Sequence, residues 1–195
     1  MKTLKITIVV LGVLAIIALW AMNCYNALVE GQEDVEAAWA QVENQYQRRA
    51  DLVPNLVATV KGYAAHEEQT LEGVIAARAQ ATQVKVDPTQ LTTEQLEAFQ
   101  AAQGELSQAL GRLIAIAESY PDLKANENFR DLQVQLEGTE NRIAVARQMF
   151  NETAKAYNQR VRRFPSNIIA RLWSFERKAY FESDPEAKHA PKVEF

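Results

Sequence analysis

Between Ile6 and Val29 the chain carries no charged residue. That stretch limits the possible folds more than any other feature. Up to Met22 only Thr7 and Gly12 depart from strictly apolar types. A helix rises ~1.5 Å per residue, so roughly 20 such residues cross the ~30 Å hydrocarbon core of a bilayer. A secretory signal peptide is the rival reading, because Lys2 and Lys5 form a positive leader. Signal cores, however, run ~7–15 residues and end in a small-x-small cleavage site. This run is longer and ends Trp20-Ala-Met-Asn-Cys24-Tyr25. Trp20 and Tyr25 suit a membrane–water boundary. An uncleaved transmembrane helix over 6–26 is therefore expected, behind a short N-terminus of residues 1–5. A lipoprotein cysteine normally follows a small residue, and Cys24 follows Asn23. Cys24 reads as a small apolar residue near the helix end.

Orientation follows from the flanks. Lys2 and Lys5 precede the span, whereas Glu30, Glu33, Asp34, Glu36 and Glu43 follow it before the first Arg, Arg48. The bias of Lys and Arg toward the cytoplasmic side places the N-terminus in the cytoplasm and the remainder outside.

The remainder carries nearly all the charge, and the whole chain of 195 residues has a net charge of −4. That balance argues against a nucleic-acid partner, which needs a basic surface. One cysteine excludes a disulfide framework. His66 and His189 are the only histidines, too few for a His-rich metal site.

Past the span, apolar residues recur at helical spacing. Trp39, Val42, Tyr46, Arg49 and Val53 step by three and four, as do Leu56 to Ala81 and Leu96 to Tyr120. Phe129, Leu136, Ile143, Phe150, Tyr157 and Phe164 fall seven apart. The stripes predict helices over 27–49, 54–84, 93–119 and 127–163. Pro54 suits a helix start. Thr92 with Gln95 fits a capping box, Tyr120-Pro121 stops the third helix, and Asn126 can cap the fourth. A single rod through Pro54 to residue 84 would be ~85 Å long, too long for its partners to cover. A hairpin near 49–53 is preferred. The expected fold is all-α: an N-terminal transmembrane helix, then an antiparallel up-down-up-down four-helix bundle over 27–164.

In that topology the fourth helix ends beside the membrane. The next segment, 165–181, mixes aromatics with cations, and Lys155 to Lys178 holds seven basic residues against Glu176 alone. Arg162, Arg163, Arg171, Trp173, Arg177 and Lys178 are candidates for contact with lipid. The rival reading is intramolecular: the aromatics close the open end of the core and the cations offset the acidic base of the first helix. This rival is preferred. Residues 182–195, with Pro185 and Pro191, read as a loose tail.

Polar residues fall on or beside the core stripes: Arg49, Glu67, Arg78 and Gln103, then Glu140, Arg147, Asn151 and Asn158. A di-metal bundle would need Glu-x-x-His motifs on facing helices, which this chain lacks. Ser107, Ser119, Ser166, Ser174 and Ser183 have no nucleophile-elbow context, and there is no glycine-rich phosphate loop. No catalytic residue, metal ligand or cofactor is expected. The polar set reads as contacts that fix helix register.

The same residues carry a family resemblance. Tyr25-Asn-Ala-Leu28, Arg48-Arg-Ala-Asp-Leu-Val-Pro-Asn-Leu-Val57, Lys61-Gly-Tyr-Ala-Ala-His-Glu67, Tyr120-Pro-Asp-Leu123, Ala146-Arg147, Phe150-Asn151, Tyr157-Asn158 and Phe164-Pro165 resemble the bacterial LemA family from about residue 25 to 182. The resemblance implies a protein of the bacterial inner membrane with one N-terminal span and an antiparallel helical bundle. It implies no catalytic residue. It suggests TPM-domain proteins or membrane zinc metalloproteases as partners. The expectation is thus a membrane-anchored, non-enzymatic scaffold or adaptor that forms homo-oligomers. A lipid-organising role for 164–181 is the alternative from a second class, and a hydrolase or metal enzyme the least supported.

Overall fold

A computed structural model describes residues 2–182 of the chain. These residues form helices and connecting turns, with no strand among them. Helix α1 spans Lys2–Lys61, α2 Glu68–Gln83, α3 Thr93–Ile116, α4 Pro121–Ala125, α5 Glu127–Arg162 and α6 Ser166–Leu172. Single 3-10 turns lie at Pro88–Gln90 and Ala117–Ser119.

The start of α1 is the apolar stretch. It is the one helix among the described residues long and apolar enough to cross a membrane, and none of its most apolar window is buried. Burial begins at Leu28 and recurs through Gly31, Val35, Trp39, Val42, Tyr46, Arg49, Val53, Leu56 and Val60. The apolar stretch and the packed stripe therefore belong to one uninterrupted helix.

This corrects the expected hairpin at 49–53. Pro54 lies inside α1, and the turn comes at 62–67. An interior proline removes the N–H that would reach the carbonyl four residues back, here that of Ala50, which is buried. Arg78 of α2 supplies the missing donor, with Nε 2.8 Å from the Ala50 oxygen. Coverage is not a difficulty either, because the rod is shifted toward the N-terminus and its first part is apolar stretch that no bundle helix covers. The packed part of α1 and the ~54 Å of α5 match in length. The second helix is correspondingly short, Glu68–Gln83 rather than 54–84.

The other signals fall where expected. Thr92 and Gln95 form a reciprocal capping box on α3. Asn126 accepts from the Phe129 N–H at the start of α5. Phe129, Leu136, Ile143, Phe150 and Tyr157 are all buried on α5. Phe164 leaves the series: α5 ends at Arg162 and Phe164 is 76% exposed.

Contacts pair α1 with α5, α2 with α3, and α1 with α2. Gly31 of α1 lies against Tyr157 and Arg160, Arg49 bonds Glu140, and Tyr63 receives a bond from Asn126. The apolar interior has an upper cluster around Val53, Leu56, Leu106, Leu113 and Phe129. A second is centred on Trp39, Phe99, Phe150 and Tyr157. A small third joins Leu28 to Ile169 and Ala170 of α6.

Candidate functional site

Polar residues from the predicted set are gathered at three levels along α1. The highest is at the turn 62–67. Glu67 stands there, at the mouth of α2 rather than on an internal stripe, and accepts from the Tyr120 hydroxyl at 3.1 Å. Tyr63 and Asn126 make a parallel tie at 2.9 Å. The turn is thereby fastened to the α3–α5 connection.

The middle level is a polar layer between the two larger apolar clusters. Arg49, 1% exposed, donates through Nη1 to Ser107 Oγ at 2.6 Å and Glu140 Oε1 at 2.9 Å. Its Nη2 donates to the Gln103 side chain at 2.6 Å and to the Gln103 carbonyl at 3.0 Å. Gln103 passes the chain on to the Ala81 carbonyl at 3.2 Å. One guanidinium thus reads positions on α3 and α5 from α1, and Gln103 adds α2. A sliding helix would leave that buried cation without partners, so the layer sets register. Arg49 also lies 5.0 Å from the Tyr46 ring. Burial raises the Tyr46 pKa, against the pull of the Arg147 and Arg49 charges. Among the described residues, no group of three or more His, Cys, Asp or Glu converges to hold a metal.

The lowest level contains an arrangement that sequence reasoning missed. After α6 the chain turns at Ser174 (φ 57°) and runs back along α5 as an extended strap. Asn158 donates to the Lys178 carbonyl and accepts from the Lys178 N–H, each at 2.8 Å. Asn151, two turns earlier on the same face, makes the same pair with Phe181 at 2.9 Å. Arg147 donates to the Glu182 carbonyl at 2.9 Å and lies 4.8 Å from the Phe181 ring. Arg147, Asn151 and Asn158 were expected to fix helix against helix; the two asparagines hold backbone instead, while Arg147 holds backbone and also reaches Tyr46 of α1. Phe181 stacks on Trp39 at 5.8 Å and meets Phe150 edge-on at 5.4 Å. The visible signal was the repeated aromatic-Asn pair, Phe150-Asn151 and Tyr157-Asn158, seven apart. An asparagine repeated on a packed face needs a partner with both a donor and an acceptor, which is a backbone.

Lys178 is likewise not at a lipid surface. It is 6% exposed, and its ammonium donates to the Pro88 carbonyl at 3.3 Å and to the Thr89 carbonyl. Burial lowers its pKa, opposed by the charges of Glu36, Asp87 and Glu176. The Tyr157 hydroxyl is buried without a partner, and burial, with Glu176 and Glu36 adding, pushes its pKa up to about 12.

The rest of the aromatic-basic segment sits against the apolar stretch of α1. Ile169 and Ala170 of α6 pack on Leu28, with Trp20, Ala21 and Cys24 alongside. Tyr25 meets Trp173 and Phe175 edge-on, each at 5.6 Å. Arg160 donates to the Ala27 carbonyl at 2.9 Å. Phe164, Ile168, Leu172 and Trp173 stay at least 50% exposed, and Arg162, Arg163, Arg171 and Arg177 are exposed beside them. The segment expected as one unit is therefore divided: most of 164–173 is exposed, against the end of the apolar stretch, whereas Lys178 and Phe181 are buried. Residues 183–195, most of the expected tail, lie outside the described residues.

Comparison with known proteins gives a consistent set. The family model described as LemA family matches residues 38–195. Magnetosome protein MamQ 1 of Paramagnetospirillum magneticum is 31% identical over 193 residues, covering 90% of this chain and 71% of that protein. Magnetosome protein MamQ of Magnetospirillum gryphiswaldense is 31% identical, with 93% and 73% covered. Protein LemA of Metamycoplasma hominis is 22% identical, with 81% and 68% covered. None of these names states a catalytic activity.

Proposed function

Because the chain belongs to the LemA family, we propose that it is a membrane-anchored, non-enzymatic scaffold whose helical bundle presents its outer faces to copies of itself or to partner membrane proteins. The first part of α1 is the single span, with the N-terminus cytoplasmic and the bundle outside. The rest of α1 with α2, α3 and α5 forms an antiparallel four-helix bundle. The paired contacts Ala27–Arg160, Arg49–Glu140 and Tyr63–Asn126 support that topology.

One observation carries the reading: anchor and bundle share one helix, and α5 and α6 grip it at the junction. A domain on a flexible tether is oriented by its partner, whereas this one is oriented by the membrane. Anchors confined to one surface also raise local concentration, so weak lateral contacts suffice for assembly. TPM-domain proteins or membrane metalloproteases are the partner classes to seek by co-purification. Cross-linking the full chain in native membranes is expected to return dimers and larger species. A result of monomer alone would sink the proposal. A reporter fused after Phe195 is expected to be active only outside the cytoplasm.

The lipid-organising alternative is favoured by the packing of α6 against Trp20, Ala21 and Cys24, which narrows the lipid-facing part to 164–173. In a variant retaining Trp173 as its sole tryptophan, acyl-brominated lipids should quench the fluorescence. Absence of quenching would remove this reading.

A further inference from the structure

At the membrane-proximal end of α5 lies an open hollow of about 790 Å³, lined by Lys155, Arg160, Arg162, Arg163, Arg177 and Tyr180. We infer that this hollow is a binding site for the phosphate of an anionic phospholipid headgroup. The inference rests on the membrane-anchor reading above.

Three observations carry it. First, the cations converge without an answering charge. The ion pairs among the described residues are Arg49–Glu140 and Lys124–Glu118, so none of the five cations has a carboxylate within 4 Å there. Arg160 is engaged by the Ala27 carbonyl; the other four are exposed. Cations gathered from two separate segments, with a phenol on the rim, suit a ligand with several acceptor oxygens, and guanidinium forks match phosphate geometry. Second, the depth is right. From Ile6 to Ala27 is about 32 Å of helix, against ~30 Å of hydrocarbon, so Arg160 at Ala27 marks the headgroup layer. A soluble phosphate would need no such placement. Third, the exposed Phe164, Ile168 and Leu172 lie on the adjoining turn and α6, where acyl chains of the same lipid would run. Most of the cations come from the last turns of α5, whose dipole favours positive charge. That accounts for Arg160 and Arg162, but it does not account for Arg177, which the strap brings in from another segment.

The test uses the full chain, purified in a nonionic detergent, stripped of lipid and then offered phosphatidylglycerol or phosphatidylcholine, with bound lipid counted by native mass spectrometry. The expected result is one phosphatidylglycerol retained per chain and no phosphatidylcholine. Arg162→Gln, Arg163→Gln and Arg177→Gln should each weaken retention about fivefold, the effect of one cation near a lipid surface. Arg130→Gln removes the same charge from the opposite end of α5, away from the hollow, and should leave retention unchanged. Equal losses in all four variants, or none in the first three, would overturn the site. Inorganic phosphate displacing the lipid at the same concentration would also overturn it, by showing a soluble-anion site. Helicity by circular dichroism identifies a variant that fails to fold, and the Tyr180→Phe variant, milder in charge and shape, then stands in with a smaller loss expected. Failure of the anchor reading is seen separately, as release of the wild-type chain from membranes by alkaline wash.

Discussion

The passage of α1 through Pro54 makes a sharp prediction, because the structure shows what replaces the lost bond. Arg78 Nε lies 2.8 Å from the Ala50 carbonyl, and Ala50 is 4% exposed. Replacing Arg78 by Met keeps the stem but removes the donor, leaving a buried carbonyl unpaired. A bond from a charged donor contributes about 1.5–3 kcal/mol. Arg78 is only part-buried, so the lower end applies, about 1–2 kcal/mol. For a chain of this size that is a fall of roughly 2–8 °C in Tm. Pro54→Ala restores an N–H four residues after Ala50, and should stabilise by up to ~3 kcal/mol. In that background the Ala50 carbonyl has its ordinary partner, and Arg78→Met should cost under about 0.5 kcal/mol. The double-mutant cycle therefore predicts a coupling of about 0.5–2 kcal/mol. Thermal unfolding of the full chain in detergent, followed by far-ultraviolet circular dichroism, measures all four corners. Equal losses on Arg78→Met in the wild-type and Pro54→Ala backgrounds would refute the reasoning.

The polar layer should respond unequally to its members. Arg49→Ala removes the shared donor and is expected to cost about 3–5 kcal/mol, and Glu140→Gln about 1–2 kcal/mol, since Gln103 and Ser107 still receive the guanidinium; denaturant titration reads both. Asn158→Ala leaves the Lys178 N–H and carbonyl without partners, at about 1–3 kcal/mol, and hydrogen exchange at the Lys178 and Phe181 amides should accelerate while that of α3 does not. Tyr157→Phe removes a buried hydroxyl without a partner, so stability near neutral pH should hold or rise. Because the Tyr157 pKa is raised from 10.0 to about 12, its contribution is complete below pH 10 and lost as pH climbs toward 12. Melting curves over that window should fall more steeply for the wild type than for Tyr157→Phe.

How much was legible in the sequence depended on how local the cause was. Thr92 with Gln95, and Asn126 with Phe129, are signals contained within one turn, and both were readable. The buried series from Phe129 to Tyr157 was readable because periodicity on one helix needs no knowledge of its partner. Pro54 was misread for the opposite reason. Whether a proline starts or interrupts a helix depended on a side chain 28 positions from the carbonyl it leaves unpaired, and no local pattern reports that. The strap escaped because an extended segment held by side chains has no period of its own. Lys178 shows the cost: its neighbours Arg177 and Tyr180 are exposed, so composition grouped it with them, while the backbone pairing with Asn158 and the carbonyls of Pro88 and Thr89 hold it inward.

The unbroken passage of α1 from apolar stretch to packed stripe removes a degree of freedom. With ~3.6 residues per turn, each position along a helix is rotated about 100° from the last, and nothing between Trp20 and Leu28 relaxes that phase, since α6 touches both. The azimuth of the bundle is then locked to the azimuth of the anchor. In the proposed assembly, when two anchors pair by a given face within the bilayer, the faces their bundles turn toward one another are already chosen. In the proposed topology, partner selection outside the membrane is in that sense written inside it.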